Sequence, residues 1–206
     1  MTEAGIITSN PLHGDRVPGS VGFALPGVQM RLSNDGRECD LGEVGIVEVA
    51  GDHLFNGYWR KPTETAEVLR KDGFLITGDV GVIDEDGRLC LKGRNTDLII
   101  SGGENIYPKE IELHLDDVEC VAESAVIGIS DDDLGERIVA VIVADGIFSE
   151  QKVKEKLRHQ VADFKFPSEF IIVEELPRNS MGKIQKSKLR DAYSEQAPNK
   201  GESRNR

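Results

Sequence analysis

The chain has 206 residues and a formal net charge of -12, from 25 lysines and arginines against 37 aspartates and glutamates. This charge argues against a surface for nucleic acid or anionic membrane, which needs a basic patch, so a phosphate-bearing ligand would be held by a few placed cations. The longest apolar stretch, Ile138–Ala144, has the length of a buried strand, and no run of about 18 apolar residues predicts a membrane-spanning helix.

The first half of the chain, from about Pro18 to Gly93, reads as short strands separated by turns. The dipeptides Asp35–Gly36 and Asp86–Gly87 each stand between apolar stretches, and Asp-Gly in that setting predicts a hairpin because both residues tolerate positive φ. The segment "GEVGIVEVAG" predicts another strand. "PTETAEVLRK" predicts a short helix with Thr63 as its N-cap. We expect an antiparallel sheet or a small barrel-like subdomain.

The second half, from Asp97 onward, mixes strands and helices. "DLIIS", "VAESAVIGI", "RIVAVIVADG" and "SEFIIVEEL" predict strands, and "KSKLRDAY" predicts a closing helix. Two further helices show apolar residues at helical spacing, the second with Ser149 as its N-cap. Their apolar positions are Ile111, Leu115 and Val118 in the first helix and Val153, Leu157 and Val161 in the second.

The predicted fold class is therefore α+β, with the barrel-like subdomain followed by a small mobile α+β domain. The pattern changes from predicted hairpins to mixed strands and helices between Gly93 and Leu98, which places the domains at residues 1–94 and 97–193. Residues 194–206 lack apolar periodicity and are predicted to be a disordered tail. A short joint between the domains would allow one to rotate against the other.

Gly182–Lys183 is not a P-loop, because Pro177 occupies the position of the first glycine and Ile184 that of the serine or threonine. Taken alone, Lys183 reads either as a solvated surface lysine or as a placed cation. The run Asp131–Asp133 lacks the alternating spacing of a calcium loop and reads as a solvated turn.

Two other short motifs leave similar alternatives. In Thr77–Asp79, an aspartate after glycine at a strand end can bind a vicinal diol, or the tripeptide can be an ordinary turn. Gly102–Gly103 follows a strand, where glycine either allows a ligand close to the backbone or forms a tight turn. Arg94 stands at the predicted joint.

The order of these motifs carries more information than any one of them. "MTE", "GYW" with "KPTET", "TGD", "GRNTDLIISGGENIYPKEIE" and "PRNSMGKIQKSKLR" resemble, in sequence and spacing, the C-terminal portion of the adenylate-forming acyl-CoA synthetases, the AMP-binding enzymes. The resemblance runs from Met1 to about Tyr193. Within that superfamily, the opening segment "MTEAGIITSNPLHGDRVPGSVGFALPGV" most resembles the malonyl-CoA synthetase branch.

The resemblance implies a ligase that activates a carboxylic acid, here malonate, with ATP and Mg²⁺, and then forms a thioester with coenzyme A, releasing AMP and pyrophosphate. By similarity, Lys183 is the catalytic lysine of adenylation, and a rotating C-terminal domain delivers it. The other implied roles are phosphate contact by Thr2, magnesium ligation by Glu3, ribose binding by Asp79 with Arg94, pantetheine passage at Gly102 and Gly103, and a hinge at Thr96.

Two departures from the family pattern bear on these expectations. The hinge position is usually Asp or Lys, and Thr96 has a β-branch that narrows its allowed dihedrals. Family chains also begin with a long N-terminal domain that carries the phosphate loop and most of the acyl pocket, whereas this chain starts at Met1 inside the motif that follows them. We therefore expect the missing domain to be the packing partner of this chain and the isolated chain to be inactive.

Two alternatives to a malonate ligase stay open at this point. One is another acyl- or aryl-CoA synthetase of the same superfamily. The other is a noncatalytic remnant that binds a partner or a nucleotide. The first ten residues lack a secretory signal, and the odd, isolated cysteines Cys39, Cys90 and Cys120 suit a reducing compartment, so a cytoplasmic location is expected.

Overall fold

The computed structural model describes residues 1–34 and 36–194, which form two compact units that divide between Thr96 and Asp97. The predicted tail lies outside the described residues from position 195 onward, and Asp35 of the first predicted turn lies outside them as well. Ser194, which the sequence assigned to the tail, is instead the last residue of a helix.

The described part of the first unit contains a two-stranded sheet, β1–β2, and a five-stranded antiparallel sheet in the order β4-β3-β5-β6-β7. Its elements are β1 Thr8–Ser9, β2 Phe23–Ala24, β3 Gln29–Asn34, β4 Arg37–Glu38, β5 Val44–Ala50, α1 Pro62–Val68, β6 Leu75–Ile83 and β7 Leu89–Arg94. The barrel-like prediction is not confirmed, because this sheet is open. Strand β4 at one edge has only two residues, so it offers no ladder that could pair along β7 at the other edge.

The second predicted hairpin is confirmed, since β6 and β7 pair in register up to Ile83 and Leu89. The carboxylate of Asp84 accepts the backbone N–H groups of Asp86 and Arg88 at 3.1 and 2.7 Å. Gly87 has φ +84°, the left-handed conformation that its place in the turn requires. Local chemistry therefore closes this turn.

The predicted cap of α1 is wrong. The helix begins at Pro62, its N-cap residue is Lys61, and no side chain caps it, so Thr63 lies inside the first turn. Proline at the first helical position fixes φ for the helix and needs no N–H partner, which displaces the start from Thr63. Thr65 instead donates its hydroxyl hydrogen to the Lys61 carbonyl at 2.7 Å.

Alternation along β5 separates an apolar face from a buried charge. Val47 and Val49 lie in the core of the first unit, together with Ala4, Leu32, Leu75 and Leu89. Glu48, on the opposite face and fully buried, accepts hydrogen bonds from Ser33 Oγ at 2.5 Å, Arg70 Nε at 2.6 Å and Arg31 Nε at 2.8 Å. Burial alone would raise the pKa of Glu48, but these hydrogen bonds outweigh it and lower that pKa.

The described part of the second unit is an α+β layer structure around a five-stranded sheet. Its central strand β11 pairs antiparallel with β10, parallel with β12 and, at Gly135, with β8. The elements are β8 Ile99–Ser101, β9 Glu104–Ile106, α2 Pro108–Asp116, β10 Val121–Asp131, β11 Gly135–Ala144, α3 Glu150–Arg158, β12 Glu169–Val173 and α4 Lys186–Ser194.

Both faces of this sheet are buried. Helices α2 and α3 cover one face through Ile111, Leu115, Val153 and Leu157. Helix α4 and the loop before it cover the other through Leu176, Leu189 and the partly buried Ile184, which pack on Ile127, Val139 and Val141. The predicted cap of α3 is confirmed, since Ser149 Oγ accepts the Lys152 N–H at 3.4 Å. Among the described residues, no helix is both long and apolar enough to cross a bilayer.

Candidate functional site

Asp79 is presented by an irregularity in β6. Ile76 pairs with Glu48 and Val80 pairs with Ile46, so Thr77, Gly78 and Asp79 together oppose the single residue Val47. Gly78 has φ +75°, which a side chain would strain. The Thr77 hydroxyl closes the bulge, since it donates to the Val47 carbonyl at 2.9 Å and accepts the Asp79 N–H at 3.1 Å. The bulge therefore fixes the backbone from which Asp79 projects.

Arg94 contacts this bulge from the neighbouring strand. Asp79 and Arg94 are register partners on β6 and β7, and Arg94 Nη1 donates to Asp79 Oδ1 at 2.9 Å and to the Thr77 carbonyl at 3.0 Å. The Asp79 side chain is partly buried, with an exposed fraction of 33%. Among the described residues nothing occupies the second carboxylate oxygen, so it is available to a ligand.

Glu3 is fixed by the segment that precedes α1. Its carbonyl accepts the Phe55 N–H at 2.8 Å, and its Oε1 accepts the Tyr58 hydroxyl at 2.9 Å. The Tyr58 backbone N–H is itself bound by Thr65 Oγ1 at 2.9 Å. The hydrogen bond to Glu3, together with burial, raises the pKa of Tyr58. Thr2, next to Glu3, is exposed.

The chemistry of Glu3 fits a magnesium ion that is shared with a phosphate ligand. One carboxylate oxygen is engaged by Tyr58, and the other has no partner among the described residues. The described residues also contain no cluster of three or more His, Cys, Asp or Glu side chains that would form a protein-only cage. Mg²⁺ keeps several waters and uses one or two carboxylates plus substrate phosphates, so a single open carboxylate is compatible with it.

Gly102 and Gly103 form the two-residue turn of the β8–β9 hairpin, where Ser101 pairs with Glu104. Their φ values of +59° and +84° give the turn that favours glycine at both positions. An added Cβ at Gly103 would contact nothing within 4 Å, so backbone conformation, not crowding, explains this glycine. The Gly102 N–H donates to the Leu134 carbonyl at 2.8 Å, which ties the turn to the start of β11.

A pocket that sequence reasoning missed lies beside this turn. It has a volume of about 270 Å³ and is lined by Gly102, Arg137, Phe164 and Phe166 among others. Arg137 is paired with Glu169 across β11 and β12. No sequence spacing links these residues, because they come from a turn, a strand and the loop after α3.

Lys183 projects from a small, internally bonded loop. Asn179 Oδ1 accepts the backbone N–H groups of Met181 and Lys183, both at 3.0 Å, and the Gln185 N–H donates to the Pro177 carbonyl at 2.7 Å. Gly182 has φ +78°. The Lys183 side chain is exposed, and its ammonium makes no ion pair with any residue that the structure describes. The loop backbone is therefore fixed by hydrogen bonds, while the ammonium group of Lys183 remains exposed to solvent.

A second lysine, three residues later, is held very differently. Lys186 Nζ lies 2.5 Å from Glu112 Oε1, and this oxygen also accepts the Val126 N–H at 2.9 Å. Asp97, the residue after the predicted hinge Thr96, lies 4.0 Å from the same ammonium. Sequence reasoning singled out neither Glu112 nor Lys186, and the only signal was the polar Glu112 between the apolar positions of α2.

Within the first unit the structure brings Asp79 and Arg94 into contact and holds Glu3 against Tyr58. Within the second unit the turn Gly102–Gly103 and Lys183 lie on separate loops. Thr96 is exposed in a short 3-10 turn, Asn95–Asp97, at the division between the units.

Comparison with known proteins relates both units to one family. Residues 1–59 match the AMP-binding enzyme family, and residues 110–183 match the AMP-binding enzyme C-terminal domain. A malonate–CoA ligase of Arabidopsis thaliana is 37% identical over an alignment of 209 positions, gaps included, which covers 95% of this chain and 34% of that protein. An indoleacetate–CoA ligase of Aromatoleum aromaticum is 40% identical over 183 residues, covering 87% of this chain and 36% of that protein.

Solved structures agree with the sequence comparison. The crystal structure of ATP-bound MatB from Rhodopseudomonas palustris shares 50% sequence identity and a TM-score of 0.87, covering 94% of this chain and 39% of that one. The chain therefore spans between a third and two-fifths of the length of the proteins it matches.

Proposed function

This chain belongs to the AMP-binding enzymes, and from that premise we propose that it serves the reaction of their acyl-CoA ligases with malonate as the acid. Those ligases adenylate a carboxylic acid and then transfer the acyl group to coenzyme A. The observation that carries the proposal is Lys183, an exposed ammonium without an ion-pair partner among the described residues, on a loop whose backbone is fixed by Asn179. The chain spans about a third of the length of its relatives. We therefore propose the reaction for this chain together with an N-terminal portion like the one that precedes the matched region in those relatives.

In the adenylation step the acid's carboxylate attacks the α-phosphate of ATP and pyrophosphate leaves. Negative charge builds on the nonbridging oxygens, and the ammonium of Lys183 stabilises it. Its lack of an ion-pair partner within the described part of the chain supports this role, since a paired ammonium would first have to break its own salt bridge. Mobility of the second unit about Thr96 would bring Lys183 in for this step and remove it for the next.

The first unit is proposed to bind the nucleotide. The open oxygen of Asp79 would accept a hydrogen bond from a ribose hydroxyl, while Arg94 keeps the carboxylate charged and oriented. Thr2 would contact phosphate. Glu3 would hold the magnesium ion, which supplies charge neutralisation on the phosphates when bound, and Tyr58 keeps the Glu3 carboxylate in place.

The thioester step is assigned to the second unit. The hairpin turn Gly102–Gly103 would line the passage of the pantetheine arm, which the absence of side chains there supports. The sulfur of coenzyme A then attacks the acyl carbon of the adenylate, and AMP leaves with the bonding electron pair. The free thiols of Cys39, Cys90 and Cys120 are consistent with a reducing, cytoplasmic setting.

Malonate is proposed over other acids because malonate–CoA ligases recur among the relatives, including the Arabidopsis thaliana protein, which is 37% identical with 95% of this chain covered. An aryl acid is the second candidate, since the indoleacetate–CoA ligase shares 40% identity. The two proposals differ in the acid that supports adenylation and agree on every residue role above.

The test is ATP–pyrophosphate exchange in a complete protein, built by placing the N-terminal portion of the Arabidopsis thaliana malonate–CoA ligase before residue 1. Exchange that depends on malonate and Mg²⁺, and falls when Lys183 is replaced, is the expected result. Because that N-terminal portion brings most of an acyl pocket, the acid itself is decided with the same assay on the protein's own complete reading frame. Indoleacetate-dependent exchange there would establish the aryl alternative, and a malonate chimera without exchange would refute the proposed role of this chain.

A further inference from the structure

Helices α2 and α4 are joined by charges at the outer edge of the sheet in the second unit. Both helices adjoin β10, which is an edge strand of that sheet. Lys186, the first residue of α4, meets Glu112 of α2 at 2.5 Å, and Asp97 lies 4.0 Å from Lys186 and 3.8 Å from Arg190. We call these four residues, Asp97, Glu112, Lys186 and Arg190, the edge clasp.

Within the clasp, Lys186 and Glu112 form the least exposed lysine ion pair among the described residues of this unit. The side chains of Lys186 and Glu112 are 13% and 8% exposed, whereas those of Lys154 and Glu150 on α3 are 40% and 53% exposed. Glu112 Oε1 also accepts the N–H of Val126, so it satisfies a backbone donor on the open edge of β10. A buried charge that loses its partner is costly, so this contact holds α4 in one position.

The clasp lies three residues from Lys183 along the chain. Ile184, between them, packs on the sheet, and the loop is closed on its other side by Arg178, whose Nη1 donates to the Gly182 carbonyl at 2.6 Å. The path from Lys186 to Lys183 therefore contains no flexible linker. A shift of α4 would be transmitted to the Lys183 backbone.

We propose that the edge clasp is a positioning device for Lys183, which sets the reach of its ammonium for the adenylation step. Lys186 itself touches no substrate, and Asp97, a member of the clasp, is the residue that directly follows the proposed pivot, Thr96. The inference rests on the proposed function of Lys183. Small displacements of a reacting group are costly in catalysis, about 100-fold for a shift of about 1 Å.

The first test is hydrogen–deuterium exchange on the 206-residue chain. Lys186→Met removes the ammonium, and the double variant Lys186→Met with Glu112→Gln also removes the unpaired charge while keeping an acceptor for Val126. In both variants, exchange of the amides of residues 181–188 should rise about tenfold, because the loop opens more often. Lys154→Met, which breaks an exposed pair on α3, is the matched control and should leave these amides unchanged.

The second test separates the two half-reactions in the complete protein described above. The double variant should lose about 10- to 100-fold in malonate-dependent ATP–pyrophosphate exchange. Thioester formation from added malonyl-adenylate and coenzyme A should be retained, since Lys183 has no role in that step. Lys186→Arg, which keeps a cation at this position, should restore most of the adenylation.

Unchanged hydrogen–deuterium exchange of the amides of residues 181–188 in the double variant would overturn the proposal. A parallel loss of both half-reactions would also overturn it, since that pattern reports general destabilisation. If Lys183→Ala leaves adenylation intact, the proposed function fails and the positioning role fails with it. If Lys183→Ala lowers adenylation as expected and the double variant leaves it unchanged, only the edge clasp is refuted.

Discussion

Arg94 joins both sides of the bulge that presents Asp79: a single nitrogen, Nη1, donates to Asp79 Oδ1 at 2.9 Å and to the Thr77 carbonyl at 3.0 Å. This contact lies between register partners on adjacent strands. It holds one carboxylate oxygen, and the other has no partner among residues 1–34 and 36–194, which is the arrangement that a binding group for a diol needs.

Asp79→Asn is expected to weaken nucleotide binding with little effect on the fold. The substitution removes the charge of the acceptor that faces the ribose, and a hydrogen bond to a charged group is worth about 1.5–3 kcal/mol, so the KM for ATP should rise about 10- to 100-fold. Steady-state kinetics of the complete protein and calorimetric titration with AMP measure this. Asp84→Asn, in the neighbouring turn, is the matched control, because Asn can still accept the turn's N–H groups. Equal effects of both changes would contradict the assignment.

Lys183→Ala is expected to lower adenylation about 10²- to 10³-fold, because the loss of one preorganised donor at a developing oxyanion has that magnitude. The Asn179 contacts involve the backbone at position 183, so the loop should persist. Pyrophosphate release measures the effect, with Lys188→Ala, an exposed lysine on α4, as the control. An adenylation rate within a few-fold of wild type would refute the catalytic role.

Glu48→Gln is expected to destabilise the first unit by about 1–3 kcal/mol, since the partly exposed Arg31 and Arg70 lose their buried, charged acceptor and, among the described residues, only Arg31 keeps a second ion-pair partner, Asp72. The pKa of Glu48 is lowered in the fold, so its contribution is present above the usual carboxyl pKa and is lost as the pH falls through the folded pKa. Urea unfolding between neutral and acid pH measures both effects.

The control for that experiment is Glu43→Gln, which breaks the exposed pair with Arg37 and should change the unfolding midpoint little. The part of the acid-dependent stability that Glu48 contributes should be lost in Glu48→Gln, so this variant should be less acid-sensitive than Glu43→Gln. A Glu48 variant with wild-type acid sensitivity would show that this carboxylate does not stabilise the unit.

Glu3→Gln is expected to lower the pKa of Tyr58 towards its usual value, because the carboxylate that favours the neutral phenol is removed. In the wild-type chain, stability from this contact is present below the usual tyrosine pKa and is lost as the pH rises through the raised pKa. Tyrosinate absorbance during an alkaline titration measures the shift. Burial alone raises the pKa of Tyr107, so that tyrosine should be unaffected.

Glu67→Gln, which changes an exposed carboxylate on α1, is the control for the titration. Identical titration curves for the wild type and Glu3→Gln would mean that the contact between Glu3 and Tyr58 does not persist in solution. The proposed placement of the metal-binding carboxylate would then lose its support.

Local chemistry in the sequence predicted much of the secondary structure. The Asp86–Gly87 turn, the Ser149 cap and the apolar positions of α2 and α3 were recoverable because each depends on residues within one or two turns of chain. The family was recognisable from motif order, and the domain matches confirm it. The Thr63 cap was wrong because two local signals competed, and Pro62 decided the helix start.

Tertiary structure alone decided the arrangements that join distant parts of the chain. The open sheet of the first unit depends on which strands pair at its edges. Glu3 meets Tyr58 across 55 positions, Asp79 meets Arg94 across 15, and the clasp pairs Glu112 with Lys186 from different helices. The physical reason is that a charged side chain is placed by the packing of the elements that carry it, and sequence spacing does not encode that distance.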